Sequence, residues 1–264
     1  MQPSSNQDAA DIIIPVHNLY ARTRTLLESI YRCTDSPFHI YVVDNASTDE
    51  TADLHKIYAR AITVVRNRVD RGWSSAINQG IQIGCNPYVV FLDTRIQLAQ
   101  GWLANMISFL NTHPRIGAVG PLHSDEGHWQ CAERVRENLV SQIPRFFTKD
   151  IHERNLILQY HFENTGVLVE DTLCFSCAVF RRRAVEDVGL LGEVDTGGNA
   201  AAYCRKLRKA GYVLGLSLGT YVIQDPLQHR EALRGEFRPA RENKKVRRQN
   251  SKVSKPRRVA RLRR

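Results

Sequence analysis

The sequence predicts an α/β fold built on a doubly wound, mainly parallel sheet with helices on both faces. Two observations lead there. Three apolar runs of strand length end abruptly in polar residues: Asp11-Ile-Ile-Ile-Pro-Val-His-Asn18, Tyr41-Val-Val-Asp-Asn-Ala-Ser-Thr-Asp-Glu50 and Tyr88-Val-Val-Phe-Leu-Asp-Thr-Arg95. Unbroken Ile, Val and Tyr without alternation suit strands buried on both faces. In addition, strand and helix signals alternate from the start of the chain, as in successive βαβ units.

The elements follow in order. After the first strand, Leu26, Leu27 and Ile30 form a helical stripe ending near Cys33. Pro37 precedes a second strand over Phe38 to Val43, and Ser47-Thr-Asp-Glu50 supplies caps and first-turn acids for a helix over Ala52 to Ala59. Ile62-Thr-Val-Val65 is a third strand, and Gly72-Trp-Ser-Ser75 opens a helix running through Ala76 and Ile81. Pro87 starts a fourth strand; Trp102, Leu103, Met106 and Leu110 mark the next helix, and Ile116 to Gly120 a short fifth strand. From His128 to Asn164 the chain is charged, carries Pro144 and lacks β signals, which suggests a helical insertion. Strand character returns at Leu173 to Phe180, a helix covers Asn199 to Gly211, and Tyr212 to Val222 holds two short strands. There is no internal repeat.

With 264 residues, 42% hydrophobic and 24% charged, the chain can bury a substantial core and is ordinary for a globular protein. No apolar stretch approaches the roughly 20 residues that cross a bilayer, and the first residues lack a basic-then-apolar leader, so a cytoplasmic location is expected. The net charge of +10 is concentrated in residues 241–264, which hold twelve Lys or Arg against Glu242 alone; residues 1–240 keep 25 basic and 26 acidic side chains. So much self-repulsion with so few apolar groups predicts a disordered segment whose partner is a polyanion, either nucleic acid or an anionic membrane surface, unless it serves only solubility. The six cysteines include one Cys174-Phe-Ser-Cys177 pair without a second pair at zinc spacing, so buried free thiols are expected rather than a metal or redox site.

Asn and Asp also begin ordinary turns, but three strand ends in this order suggest a shared purpose. Ligands of open α/β sheets bind beyond the carboxyl ends of the strands. His17-Asn18, Asp44-Asn45 and Asp93-Thr94-Arg95 would then line one crevice.

On these motifs the chain resembles the inverting glycosyltransferases of family two across roughly residues 11–225. The resemblance implies the GT-A fold, Rossmann-like with a mainly parallel sheet. The implied divisions are a flexible N-terminus at 1–10, a GT-A domain at 11–235 with an insertion at 128–164, and a basic disordered tail at 236–264. Pro15, His17 and Asn18 match the strand and loop that hold the nucleotide base. Val42-Val-Asp-Asn-Ala-Ser-Thr-Asp49 is close to the second motif, in which Asp44, followed by Asn45, binds base or ribose. Asn67-Arg-Val-Asp-Arg-Gly-Trp-Ser-Ser-Ala-Ile-Asn-Gln-Gly80 is similar to the third, with Gly72 and Asn78 matching and Arg68 alongside. A helix N-terminus there suits the phosphates of a nucleotide sugar. Cys177 to Gly189 is similar to the acceptor-side segment, and Cys204 to Tyr212 to the helix after the catalytic acid.

Two departures stand out. The fourth motif of the family reads Asp-x-Asp, whose second Asp holds Mn²⁺ or Mg²⁺; here Asp93 and Thr94 are followed by Arg95, and Gln224 occupies the position of a further His ligand. Asp93 is then a candidate metal ligand, His229, five residues beyond Gln224, is either a substitute for the missing His or a lone surface histidine, and Arg95 is a candidate to neutralise the diphosphate itself. The family's catalytic acid falls on Asn199-Ala-Ala-Ala202; Asp195, with Glu193 beside it, is the candidate base just upstream, or else a turn residue before Gly197-Gly198. The resemblance thus implies sugar transfer from a nucleotide sugar to a hydroxyl. Alternatives are a DNA-modifying transferase using the tail to hold nucleic acid, and a non-catalytic nucleotide-binding relative.

Overall fold

The computed structural model describes residues 6–58, 61–124, 130–132, 150–170, 172–192, 198–224 and 261–262. Strands β1 (Ala10–Val16), β2 (Phe38–Asn45), β3 (Ile62–Asn67) and β4 (Tyr88–Leu92) are parallel, with β1 between β2 and β4 and β3 beyond β2. Helix α1 (Tyr20–Cys33) links β1 to β2 and α3 (Trp73–Ile83) links β3 to β4. All five residues of β4 and six of seven in β1 are buried, which is why these runs carry no alternation.

Beyond β4 the sheet turns antiparallel. β8 (Cys177–Arg181) runs against both β4 and β6 (Ile116–His123), β6 is parallel to β9 (Val213–Gln224), and β7 (Gly166–Val169) runs against β9. A short β5 (Ile96–Gln97) pairs with the end of β9. Two apolar layers sandwich the sheet. One gathers Ile13, Ile77, Phe91 and Phe180, and the other Ile12, Leu27, Trp102 and Phe109. Helix α3 lies close on β1: a Cβ at Gly80 would stand 2.5 Å from Ile13 Cγ2.

Several expectations need correction. The helix at Ala52–Ala59 is a 3₁₀ turn (Glu50–Asp53) followed by one turn of α2 (Leu54–Ile57). The two strands at Tyr212–Val222 are one strand, bulged where Leu218–Thr220 have no partner in β6. The strand placed at Leu173 begins at Cys177. Within the insertion, the described helix is α5 (Ile151–Phe162), capped by Asp150, whose carboxylate accepts the His152 and Glu153 N–H groups. Further on come α4 (Trp102–Thr112), α6 (Arg182–Val188) and α7 (Gly198–Lys209). Of the basic tail, only Arg261 and Leu262 are described, and they pair antiparallel with the edge of β7; the disorder expected of the tail otherwise lies outside the described residues. An open edge offers unpaired N–H and C=O groups to any extended segment. Among the described residues no helix is long and apolar enough to cross a membrane. All six cysteines are free; Cys33, Cys131, Cys177 and Cys204 are buried as expected, whereas Cys85 is exposed.

Candidate active site

The chain leaves β1 for β2 and β3 on one side, then crosses to β4 on the other. This reversal opens a crevice beyond the carboxyl ends of β1, β2 and β4, where ligands of such sheets bind. Parallel register sets Val16 beside Asp44 and Asp44 beside Arg66.

Asn18 and Leu19 both take left-handed backbone conformations (φ 58° and 67°), turning the chain sharply out of β1 into α1. The turn is held from β2's side: Ser47 Oγ accepts the Asn18 N–H at 2.7 Å, and Asn18 Oδ1 accepts the Thr48 N–H at 2.8 Å. His17 Nδ1 lies 2.6 Å from the Asn45 carbonyl, so it donates and leaves Nε2 as the acceptor. Pro15 is half-buried in β1 beside Val43.

Asp44 is fully buried. Its Oδ1 accepts the Ser47 N–H at 2.8 Å; its Oδ2 makes no hydrogen bond and has Arg66 Nε at 3.5 Å. The cation beside Asp44 is thus Arg66, whereas Arg68 is exposed. The parallel register of β2 and β3 is the signal that would have found Arg66.

Gly72 caps α3 with φ 78° and ψ 163°, a conformation essentially confined to glycine. Asp70 Oδ1 accepts its N–H at 2.8 Å. The following Trp73 stacks on Phe175 (6.4 Å between centroids) and meets Phe91 edge-on, which brings the start of α3 against the end of β4. Neither aromatic was singled out in the sequence. Asn78 points elsewhere: its amide donates to the Leu191 carbonyl and accepts the Leu191 N–H, both at 2.9 Å.

At the end of β4, Arg95 grips Asp93 through a two-pronged ion pair. Nε donates to Oδ1 at 2.8 Å and Nη2 to Oδ2 at 2.7 Å, while the Arg95 N–H also donates to Oδ1 at 2.9 Å. Both side chains are about one-fifth exposed (23% and 20%), so the pair is largely shielded from water. Thr94 forms the turn between them. Burial raises the Cys174 thiol above its ordinary value, with Asp93 adding to and Arg95 opposing the shift. Gln224 Oε1 lies 3.9 Å from that sulfur.

These groups do not fit a divalent cation. Both Asp93 oxygens are held by a guanidinium of fixed positive charge, Gln224 is neutral, and burial disfavours the thiolate form of Cys174. Among the described residues no cluster of three His, Cys, Asp or Glu side chains could hold a metal. Glu193, Asp195 and His229 lie outside the described residues.

A parallel half-sheet with its crevice at β1, β2 and β4, joined by an antiparallel β8 to the rest, is the GT-A glycosyltransferase architecture. A mannosyltransferase from Pyrobaculum calidifontis, solved with GDP-Man and Mn²⁺, superposes with a TM-score of 0.59 at 21% identity, covering 81% of this chain and 56% of that one. S. aureus TarS residues 1–349 with UDP-GlcNAc gives 0.58 at 16%, over 81% and 58%. The chain belongs to glycosyl transferase family 2, whose model matches residues 11–189. Among curated relatives, a PGL/p-HBAD biosynthesis glycosyltransferase of Mycobacterium tuberculosis is 32% identical over 106 residues, 39% of this chain and 41% of its own length. The 4,4'-diaponeurosporenoate glycosyltransferase of Staphylococcus aureus is 33% identical over 94 residues, 34% and 25% of the two chains. The matched stretches thus span less than half of these relatives.

Proposed function

We propose that the chain transfers a sugar from a nucleoside-diphosphate donor to a hydroxyl acceptor with inversion, and that Arg95 takes the electrostatic part of a divalent cation. The observation that carries this reading is the Arg95 guanidinium held by Asp93 just past the carboxyl end of β4. Asp44 Oδ2, buried and without a hydrogen bond, is an acceptor suited to a base N–H. Pro15, His17 and Asn18 frame the base. The diphosphate lies between Gly72 at the start of α3, Arg68 and the Thr94–Arg95 turn. As the acceptor oxygen bonds to the anomeric carbon, the bond to the diphosphate breaks. The hydroxyl proton passes to Asp195 or Glu193, and Arg95 stabilises the charge gathering on the leaving group. Residues 241–264 bring the enzyme to a polyanion, so retention on DNA or anionic vesicles should fall steeply with salt.

Thermal shifts with UDP, GDP, dTDP and CMP, with and without Mn²⁺, identify the donor class, because stabilisation follows mass action. Transfer or donor hydrolysis with the matching nucleotide sugar is expected to survive excess EDTA. Complete loss of activity with chelator removes the role given to Arg95.

A further inference from the structure

A chain of three side-chain amides runs beneath the crevice and ends on the backbone of the donor turn. Asn45 Nδ2 donates to the Gly72 carbonyl at 3.2 Å. Asn67 Nδ2 donates to Asn45 Oδ1 at 2.7 Å and to Gln79 Oε1 at 2.9 Å, and Gln79 Nε2 donates back to Asn67 Oδ1 at 2.9 Å. Asn45 and Asn67 are buried, and Gln79 is half-buried on α3. The ladder thus joins the ends of β2 and β3 to the start of α3, and the Asn45 carbonyl ties in His17 at the end of β1.

The polarity of the ladder has one origin. A carbonyl only accepts, so Gly72 obliges Asn45 to present its NH₂, which turns Asn45 Oδ1 toward Asn67. Asn67 must then present its own NH₂, which turns its Oδ1 toward Gln79. Each amide orientation follows from the one before, and buried polar networks of this kind are costly to leave half satisfied. Gly72 is held at both ends, its N–H by Asp70 and its C=O by Asn45 and by the Ala76 N–H of α3.

We infer that Asn45, Asn67 and Gln79 are positioning residues for the donor. They fix the glycine turn and the α3 N-terminus in the geometry that receives the diphosphate. The inference rests on the reading of that turn as the diphosphate site. Asn45 then acts through Gly72 rather than as a ligand of the nucleotide.

Two substitutions at Gln79 separate positioning from mere support. Gln79→Ala removes one rung and leaves the polarity of the others intact. Gln79→Glu keeps the shape but sets a carboxylate oxygen against Asn67 Oδ1. A flip of Asn67 cannot relieve that repulsion, because both of its amide atoms face residue 79, so Asn67 is pushed away and its hold on Asn45, and through it on Gly72, is loosened. Nucleotide affinity of the folded protein is therefore expected to fall further in the glutamate variant than in the alanine variant. In calorimetric titrations with whichever of UDP, GDP, dTDP and CMP the parent binds, Gln79→Glu should bind about tenfold more weakly than the parent, and Gln79→Ala less than about threefold, as expected for a misplaced binding turn. If the two variants bind the nucleotides as the parent does, the ladder is structural only. If the parent itself binds none of UDP, GDP, dTDP and CMP, it is the donor-site reading that fails.

Discussion

Arg95→Ala is expected to lower the rate of sugar transfer by about 10²–10³-fold at saturating donor, the loss seen when one preorganised donor to a developing anion is removed. The guanidinium is already oriented by Asp93 before any substrate arrives, through two hydrogen bonds to the carboxylate, with the Arg95 backbone N–H donating a third. Little reorganisation is therefore needed as charge builds on the diphosphate. Lysine at this position keeps the charge but not the planar fork, so Arg95→Lys should recover only part of the rate. Because the pair is only about one-fifth exposed, removing Arg95 leaves Asp93 largely shielded from water without its partner, so the melting temperature should fall as well. Arg95→Asp makes a sharper test. It leaves two carboxylates two residues apart, and the residual activity should become stimulated by Mn²⁺ and sensitive to EDTA. An Arg95→Ala enzyme with an unchanged rate would refute the role assigned to this side chain.

Arg182→Ala is expected to destabilise the fold by about 3–5 kcal/mol, the usual result of stripping the partner from a buried charge. Asp11, fully buried near the start of β1, accepts from Arg182 Nη2 at 2.7 Å and from the Asn86 N–H at 2.9 Å through Oδ2, and from Asn86 Nδ2 at 2.6 Å through Oδ1. Arg182 also donates to the Asn86 and Ile81 carbonyls, tying α6 to the end of α3. The space is full: a Cβ at Gly84 would come within 2.3 Å of Asp11 Oδ2. Urea denaturation gives the measurement, and a loss below about 1 kcal/mol would show that water reaches the carboxylate. Replacing both partners, as in Asp11→Leu with Arg182→Met, should cost less than the single change, since no unpaired charge remains. This cluster sits at the amino end of β1, opposite the crevice, so nucleotide affinity of the folded fraction should not move.

The three apolar runs were legible because a strand buried on both faces has no polar side to disguise it, and β1, β2 and β4 fall where those runs lie. The crevice residues at their ends follow from the parallel direction alone. β8 was not legible as the antiparallel link between β4 and β6, because its own residues say nothing about which neighbours it meets. β7, four residues long and just past the insertion, gave no signal of its own.

Among the site residues the same division holds. The Asp93-x-Arg95 departure was visible, since its meaning depends on residues two apart. That Arg95 spends its fork on Asp93 was not, because side-chain direction at a turn is decided by packing. Asn78 fits the motif in sequence, yet its amide bonds Leu191, 113 residues further on.

By itself, the sequence determined the α/β class, the ends of its parallel strands and the Asp93-Thr94-Arg95 run that follows β4, since each is written in short-range pattern. Tertiary structure alone decided that Arg66 accompanies Asp44, that Asn78 holds Leu191, and that three amides converge on Gly72. Those outcomes depend on which strands lie side by side and in what register, and register is settled by the burial of whole faces rather than by any one segment.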